Sequence, residues 1–237
     1  MLSTITRRII DNCTLFNQLC QFCGRTSTAH GICPACRRQL TPVSRAQCCV
    51  RCGIPLATAG LCGRCQRHPP AFDAAYAPYV FCYPLDRLIH RFKYGRHLEL
   101  AGVLGYLLRQ GISIFPGEID VVIAVPLSKE RLAERGFNQS AELARPLAAT
   151  IRRRFDPMLC GRKRNTIAQA GLDLAARRRN LRDAFRVDAA VAGLSIAIVD
   201  DVVTTGETLS EMAATLKKGG AKRVLAWALC RAVTTNT

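Results

Sequence analysis

The second two-thirds of this chain moves between two rhythms of apolar and polar residues. Residues 120–125, Asp-Val-Val-Ile-Ala-Val, form a short and almost unbroken apolar run ahead of Pro126. Such a run predicts a strand buried on both faces. Residues 194–199 and 223–229 have the same character. Outside these runs the apolar positions fall three or four apart. They are Leu100, Leu104, Leu107 and Leu108 before Gly111, then Leu143, Leu147 and Ile151 within 140–154, then Leu209, Met212, Ala213 and Leu216 before Gly219. That spacing predicts helices with one buried face. Pro146 lies inside the middle one, so a kink or a late start is expected there. A further helix is expected over 85–93, after Pro84, and an extended segment over 73–80. Strands alternating with helices imply an α/β fold with a parallel sheet and right-handed crossovers.

Residues 1–70 follow a different pattern, with few large apolar side chains and a repeat of cysteines. Cys20, Cys23, Cys33 and Cys36 recur 29 residues later as Cys49, Cys52, Cys62 and Cys65. Each half holds two CxxC turns, and Gly24 and Gly53 follow the first turn of each. A CxxC turn presents two sulfurs to one metal, and two turns complete a tetrahedral shell. Disulfides and an iron–sulfur cluster are the competing uses of four cysteines. The spacing favours structural zinc, one ion per half, in a closed site with no open position for catalysis. With so small a core, metal must supply much of the folding free energy of residues 1–70. Cys13, Cys48, Cys82, Cys160 and Cys230 fall outside the repeat and read as ordinary packed or spare thiols. His68-Pro69-Pro70 reads as a stiff linker, which divides the chain into residues 1–70 and 71–237.

Compartment bears on the metal. No run approaches the roughly 18 apolar residues that span a bilayer, so membrane insertion is not expected. Arg7 and Arg8 are followed at once by Ile9, Ile10, Asp11 and Asn12, which is not the pattern of a secretory leader. A cytoplasmic setting, where thiols stay reduced, is the expectation. The formal net charge of +17 is uneven. Residues 1–70 carry nine Arg against one Asp, and residues 151–186 carry eleven basic against three acidic groups. Four thiolates on Zn²⁺ leave a net negative site, so zinc would offset part of the first excess and leave 151–186 as the stronger basic patch. A basic surface serves either solubility alone or a polyanionic partner.

The chemistry concentrates in residues 196–209. A buried strand runs into Asp200 and Asp201, then into a loop with Thr204, Thr205 and Gly206, then into a helix carrying Thr208. Ligands of open α/β sheets bind at the carboxyl ends of strands. A helix N-terminus offers free N–H groups and the positive end of its dipole to a phosphate. Three threonine hydroxyls add donors, and Gly206 lets the backbone come close to an oxygen. The two acids would repel that phosphate, so ribose hydroxyls or a Mg²⁺ ion suit them better.

This stretch resembles the 5-phosphoribosyl 1-pyrophosphate loop of type I phosphoribosyltransferases. Val125-Pro126-Leu127, Arg135-Gly136-Phe137-Asn138-Gln139-Ser140, Lys93-Tyr94-Gly95-Arg96 and the double cysteine module together resemble the ComF family within that superfamily. Its GntX-like branch, linked to DNA uptake or the use of DNA as a nutrient, is the nearest in pattern. The resemblance implies that Asp200 and Asp201 hold the ribose 2′ and 3′ hydroxyls, directly or through Mg²⁺. It implies that Thr204, Thr205, Gly206 and Thr208 bind the 5′-phosphate. The turn with Leu127, Ser128 and Lys129 matches the pyrophosphate loop, with Arg131 and Arg135 adding positive charge. Residues 161–169, with Arg162, Lys163, Arg164 and Thr166, stand where the superfamily carries a catalytic lid, and Arg164 is the catalytic candidate there.

No residue pattern names an acceptor base. Two classes of function are therefore expected. One is a phosphoribosyltransferase with an unread acceptor. The other is a non-catalytic factor that senses 5-phosphoribosyl 1-pyrophosphate or a nucleotide, or binds single-stranded DNA. Single-strand binders interleave aromatic and basic residues. Aromatics are 6% of this chain, and the arginine runs at 152–154 and 177–179 contain none, so DNA contact would be electrostatic and weakly sequence-dependent.

Overall fold

The computed structural model describes residues 18–27, 30–112, 118–163, 183–187 and 189–233. Its centre is a parallel sheet. The strands are β3 (Ala74–Tyr76), β4 (Tyr79–Val80), β5 (Val121–Ala124), β6 (Arg154–Phe155), β9 (Ser195–Val203) and β10 (Arg223–Arg231). The order is β3–β10–β9–β5–β6, with β4 continuing the edge beside β10, and every neighbouring pair is parallel. The segment expected as one extended run at 73–80 is thus two short strands on one edge, parted at Ala77 and Pro78. Proline has no N–H for the ladder and is confined to such edges.

Alternation along the strands separates two apolar layers. Val122, Ala124, Ala197, Val199, Leu225 and Trp227 face one layer, while Val121, Ile123, Ile196, Ile198, Val224 and Ala226 face the other. The first layer is covered by α3 (Leu85–Tyr94), α4 (Leu100–Ile112) and α6 (Gln139–Thr150). The second is covered by α7 (Glu207–Lys218), whose Leu209, Met212, Ala213 and Leu216 are buried as the periodicity predicts. An antiparallel pair, β7 (Cys160–Arg162) and β8 (Phe185–Val187), packs on the same side.

Three elements differ from the reading of the sequence. Helix α6 does not start late at Pro146. It begins at Gln139 because the Asn138 side chain accepts from the Ser140 and Ala141 amides, and it runs through Pro146. A short helix, α5 (Lys129–Arg135), fills what the apolar pattern leaves blank; its N-cap Ser128 accepts from the Arg131 amide. Strand β9 does not stop at Val199 but carries both acids within it as far as Val203.

The cysteine repeat wraps the β3–β4 edge. The first half contains β1 (Gln18–Leu19), β2 (Thr26–Ser27) and α1 (Pro34–Arg38); the second contains α2 (Gly63–Arg67). Cys20, Ile32, Cys33, Cys36 and Leu40 join the first apolar layer, and Cys49, Cys52 and Cys65 join the second. Backbone bonds close the edge between them. Val80 donates to the Thr41 carbonyl at 2.9 Å, Val43 to Pro78 at 2.9 Å, and Ala75 to Arg51 at 2.8 Å. Gly53 sits where the second half touches β3. Its φ is +68°, and a Cβ there would lie 2.9 Å from the Ala75 carbonyl oxygen, so glycine is required twice over. Cys48, Cys160 and Cys230 are buried, in keeping with packed thiols. Among the described residues no helix is long and apolar enough to cross a membrane.

Candidate functional site

Strict side-chain alternation slips by one near the end of β9. Ala197 and Val199 share a layer with Val202, whereas Ile196 and Ile198 share theirs with Val203. Strand β10 slips beside it, since Leu229 and Cys230 both belong to the first layer. The slip lets two consecutive acids serve one cleft, and Asp200 and Asp201 both line a cavity of about 410 Å³ at the carboxyl ends of β5 and β9.

The acids are held differently. Asp201 is buried, and its Oδ1 lies 2.8 Å from Lys93 Nζ at the end of α3. Asp200 Oδ1 accepts from Ser140 Oγ at 2.9 Å and from the Asp201 amide at 2.9 Å. Burial, and then the neighbouring Asp201 charge, push the Asp200 carboxyl up to about 7, against the pull of Lys93 and the two hydrogen bonds. Burial works to lower the Lys93 pKa, but Asp201 and Asp200 outweigh it and hold it raised.

Asp200 also lines a small cup of about 30 Å³ with Thr204, Thr205, Gly206 and Thr208. Gly206 takes φ +79°, turning the chain from β9 into α7, and has no side chain to cap the helix. The Glu207 amide donates to Thr205 Oγ1 at 3.4 Å, while the Thr208 and Leu209 amides have no intrahelical partners. Thr204, Thr208, Arg131 and Arg135 line the larger cleft too. The Arg135 guanidinium lies over Tyr94, 5.2 Å from its ring centre, and donates to Gln139 Oε1 at 3.1 Å. Its Nε is buried with no hydrogen-bond partner among the described residues. Lys129 is exposed at the start of α5 and lies apart from the lining residues. Arg164, like most of the segment read as a lid, lies outside the described residues.

Several site residues carried too little signal in the sequence. Lys93 and Ser140 belong to motifs noted there, yet only the fold brings them to the acids. Arg162 lines the cleft and donates to the Pro126 carbonyl at 3.4 Å. Phe81 and Tyr94 form an aromatic side of the cleft. Arg231, at the end of β10, is 4% exposed and donates to the carbonyls of Val203 (2.8 Å), Thr204 and Ala232 (3.2 Å), tying down the loop from below.

The cysteines assemble as two separate clusters, Cys20, Cys23, Cys33, Cys36 and Cys49, Cys52, Cys62, Cys65, with the sulfurs of each within 4.8 Å of one another. Cys23 and Cys33 sulfurs are 3.8 Å apart, and Cys52 and Cys62 sulfurs 3.7 Å. A tetrahedron with Zn–S bonds of about 2.3 Å has edges of about 3.8 Å, whereas a disulfide bond is about 2 Å. Burial raises the Cys20 and Cys49 thiols, but backbone N–H donors, led by Cys33 and Cys62 respectively, bring them down to about 6 and about 7. Burial holds the Cys36, Cys52 and Cys65 thiols raised, so the tetrahedral spacing of four sulfurs in each cluster is what fits two structural zinc ions.

Comparison with known proteins agrees with both parts. Residues 107–235 match the phosphoribosyl transferase domain, and residues 13–66 match the double zinc ribbon domain. The fold and site thus define a phosphoribosyl transferase-class α/β protein with a zinc-ribbon module. Competence protein F of Haemophilus influenzae is 31% identical over 227 residues, covering 92% of this chain and 98% of that protein. DNA utilization protein YhgH of Salmonella typhi is 41% identical over 153 residues, 62% of this chain and 67% of that protein. The chain belongs to this ComF/YhgH-like family. A ribose-phosphate pyrophosphokinase of Vibrio parahaemolyticus is 31% identical over 114 residues, 48% of this chain but only 35% of that enzyme.

Proposed function

We propose that the protein binds 5-phosphoribosyl 1-pyrophosphate with Mg²⁺ in the cleft above β5 and β9, and that it does so in the service of DNA utilization or uptake. The observation that carries this reading is the sharing of Asp200, Thr204 and Thr208 between the cup and the cleft. A ligand with an anion at one end and a diol next to it matches that sequence of groups. The 5′-phosphate takes the α7 amides and the threonine hydroxyls. The ribose hydroxyls meet Asp200. The pyrophosphate extends toward Arg131, Arg135 and Arg162, beside the Ser128 turn. Mg²⁺ arrives on the pyrophosphate and neutralises part of its charge. Asp200 is the carboxylate open to it, since Asp201 is engaged by Lys93. The ribose-phosphate pyrophosphokinase likeness and the names of the relatives support the two halves of the proposal.

In the transferase reading, the bond from ribose C1′ to pyrophosphate breaks and an acceptor atom bonds to C1′. Calorimetry with 5-phosphoribosyl 1-pyrophosphate and Mg²⁺ tests the binding. Binding is expected in the wild type and lost in Asp200→Asn; equal binding by both would reject the site. Pyrophosphate release across a panel of bases and nucleosides separates a transferase from a sensor that binds without turnover.

A second reading, contact with single-stranded DNA, gains support beside the cleft. Arg87, Arg91 and Tyr94 (57% exposed) fall on one exposed face of α3, and Tyr94 also lines the cleft. Basic and aromatic side chains interleave on this surface, as in strand-tracking grooves. Of the basic runs from which the sequence suggested DNA contact, 152–154 lies at β6 on the opposite edge of the sheet, and 177–179 falls outside the described residues. Binding to oligo-dT that weakens steeply with salt and with Tyr94→Ala is the expected result; indifference to both would exclude this surface.

A further inference from the structure

The two halves of the cysteine repeat differ at one position that the phosphate cup depends on. Arg64 stands between Cys62 and Cys65, and its counterpart between Cys33 and Cys36 is Ala35. Arg64 Nη1 donates to the Thr205 carbonyl at 2.5 Å, and its Nη2 pairs with the Glu207 carboxylate. Both partners belong to the cup: Thr205 is in its loop, and Glu207 is the first residue of α7. The first half of the repeat contacts α4 instead, with His30 stacked on Tyr106 at 4.0 Å.

We propose that Arg64 is a positioning residue through which the second four-cysteine site, and not the first, sets the geometry and charge of the phosphate cup. This rests on the phosphoribosyl reading above. Helix α2 has five residues, too few to persist unaided. The sulfurs of Cys62 and Cys65, at its cap and within it, fix it when they share a metal. A fixed α2 fixes the Arg64 fork. The fork holds the Thr205 carbonyl down, which leaves the following amides turned toward the anion. It also neutralises Glu207. An uncompensated carboxylate at that position would repel the phosphate the cup receives. Arg231 forms the other support, under Val203 and Thr204. The Arg64 fork is therefore the link between the loop and the second metal site. Loss of that metal releases the cup, while loss of the first leaves it standing.

The test uses the full zinc-loaded chain and two readouts. One is affinity for Mg²⁺-loaded 5-phosphoribosyl 1-pyrophosphate; the other is hydrogen exchange of the 204–209 amides without ligand. Arg64→Gln is expected to weaken binding about tenfold and to speed exchange in the cup, leaving the sheet amides protected. Adding Glu207→Gln to Arg64→Gln is expected to restore part of the affinity, because the repelling charge is gone; a role in packing alone would give no such rescue. Cys62→Ser with Cys65→Ser should imitate Arg64→Gln, and Cys33→Ser with Cys36→Ser should not. Arg64→Gln keeps all eight cysteines, so it carries the test if a cysteine variant loses its fold. Wild-type exchange rates in Arg64→Gln would overturn the inference, as would a first-site variant that releases the cup equally. If the wild type itself binds no 5-phosphoribosyl 1-pyrophosphate, the functional reading fails, and the exchange measurements still decide the role of Arg64.

Discussion

Lys93 Nζ lies 2.8 Å from Asp201 Oδ1, so a cation from α3 meets the acid pair of β9 inside the protein. Asp201 is buried, and removal of its partner would leave a charge with little water around it. Breaking a buried ion pair from one side costs about 3 kcal/mol or more. Lys93→Gln should lower stability by about that amount in urea titration. Lys93→Gln with Asp201→Asn should cost less than the two single changes added together. Additive losses would show that the two groups do not act as a pair.

The pH response follows from Asp200. In an unfolded chain its carboxyl titrates near 4, whereas in the fold it is raised to about 7. Between those values the folded chain keeps a proton that the unfolded chain has lost. Stability from this group is therefore full below about pH 4, falls as pH rises toward 7, and is level above that. A Mg²⁺-loaded ligand needs the charged form, so binding near pH 6 should release a proton. Calorimetry in two buffers of different ionisation enthalpy measures that release. Asp200→Asn should flatten the fall in stability between about pH 4 and pH 7; a fall that persists unchanged in this variant would assign it to another group.

Gly53 and Gly24 make a controlled comparison. Both have left-handed backbones, φ +68° and +73°. Alanine at either position costs roughly 1 kcal/mol for that conformation. A Cβ at Gly24 meets nothing within 4 Å, but at Gly53 it meets the Ala75 carbonyl oxygen at 2.9 Å. Gly53→Ala should thus lower the melting temperature of the zinc-loaded protein clearly more than Gly24→Ala. Equal shifts would mean that the ribbon yields at its contact with β3.

Zinc removal should do more than unfold a small appendage. The bonds from Thr41, Val43 and Arg51 cover the β3–β4 edge. An uncovered edge is a template for pairing with another chain. Treatment with a strong chelator should therefore produce self-association in light scattering, together with loss of structure in the ribbons. A chelated chain that stays monomeric with its ribbons unfolded would show that the edge is protected by other means.

The central strands and α7 were legible because burial on both faces, or on one stripe, leaves a direct mark on residue type. The eight metal ligands were legible because their chemistry needs fixed spacing. The cup was legible because a strand, a glycine and a helix start are contiguous at 196–209. Lys93, Ser140 and Arg231 were not legible as site residues, and Arg162 was marked only as part of the expected lid. Each sits in a local context that explains it otherwise, on a helix surface, at a helix start or at a strand end, and only the sheet order brings them together. Helix α5 was missed because none of its residues is buried, which leaves no periodic signal. The extent of β9 was misjudged because two adjacent acids look like the end of a strand. The slip in alternation falls where the β9–β10 register passes over Asp201 and Leu229, a feature of the pairing that neither segment shows by itself.

The pairing of β3 with β10 sets an order of events during synthesis. β3 lies near the start of the sheet-forming sequence and β10 is its last strand. On a nascent chain β3 has no sheet neighbour until β10 has emerged, and such non-local pairing is slow. Each ribbon draws all of its ligands from a short local stretch, so it can take up metal and fold while the sheet is still being made. The ribbon module can then hold β3 and β4 as a waiting splint, shielding an otherwise adhesive segment until its true neighbour arrives.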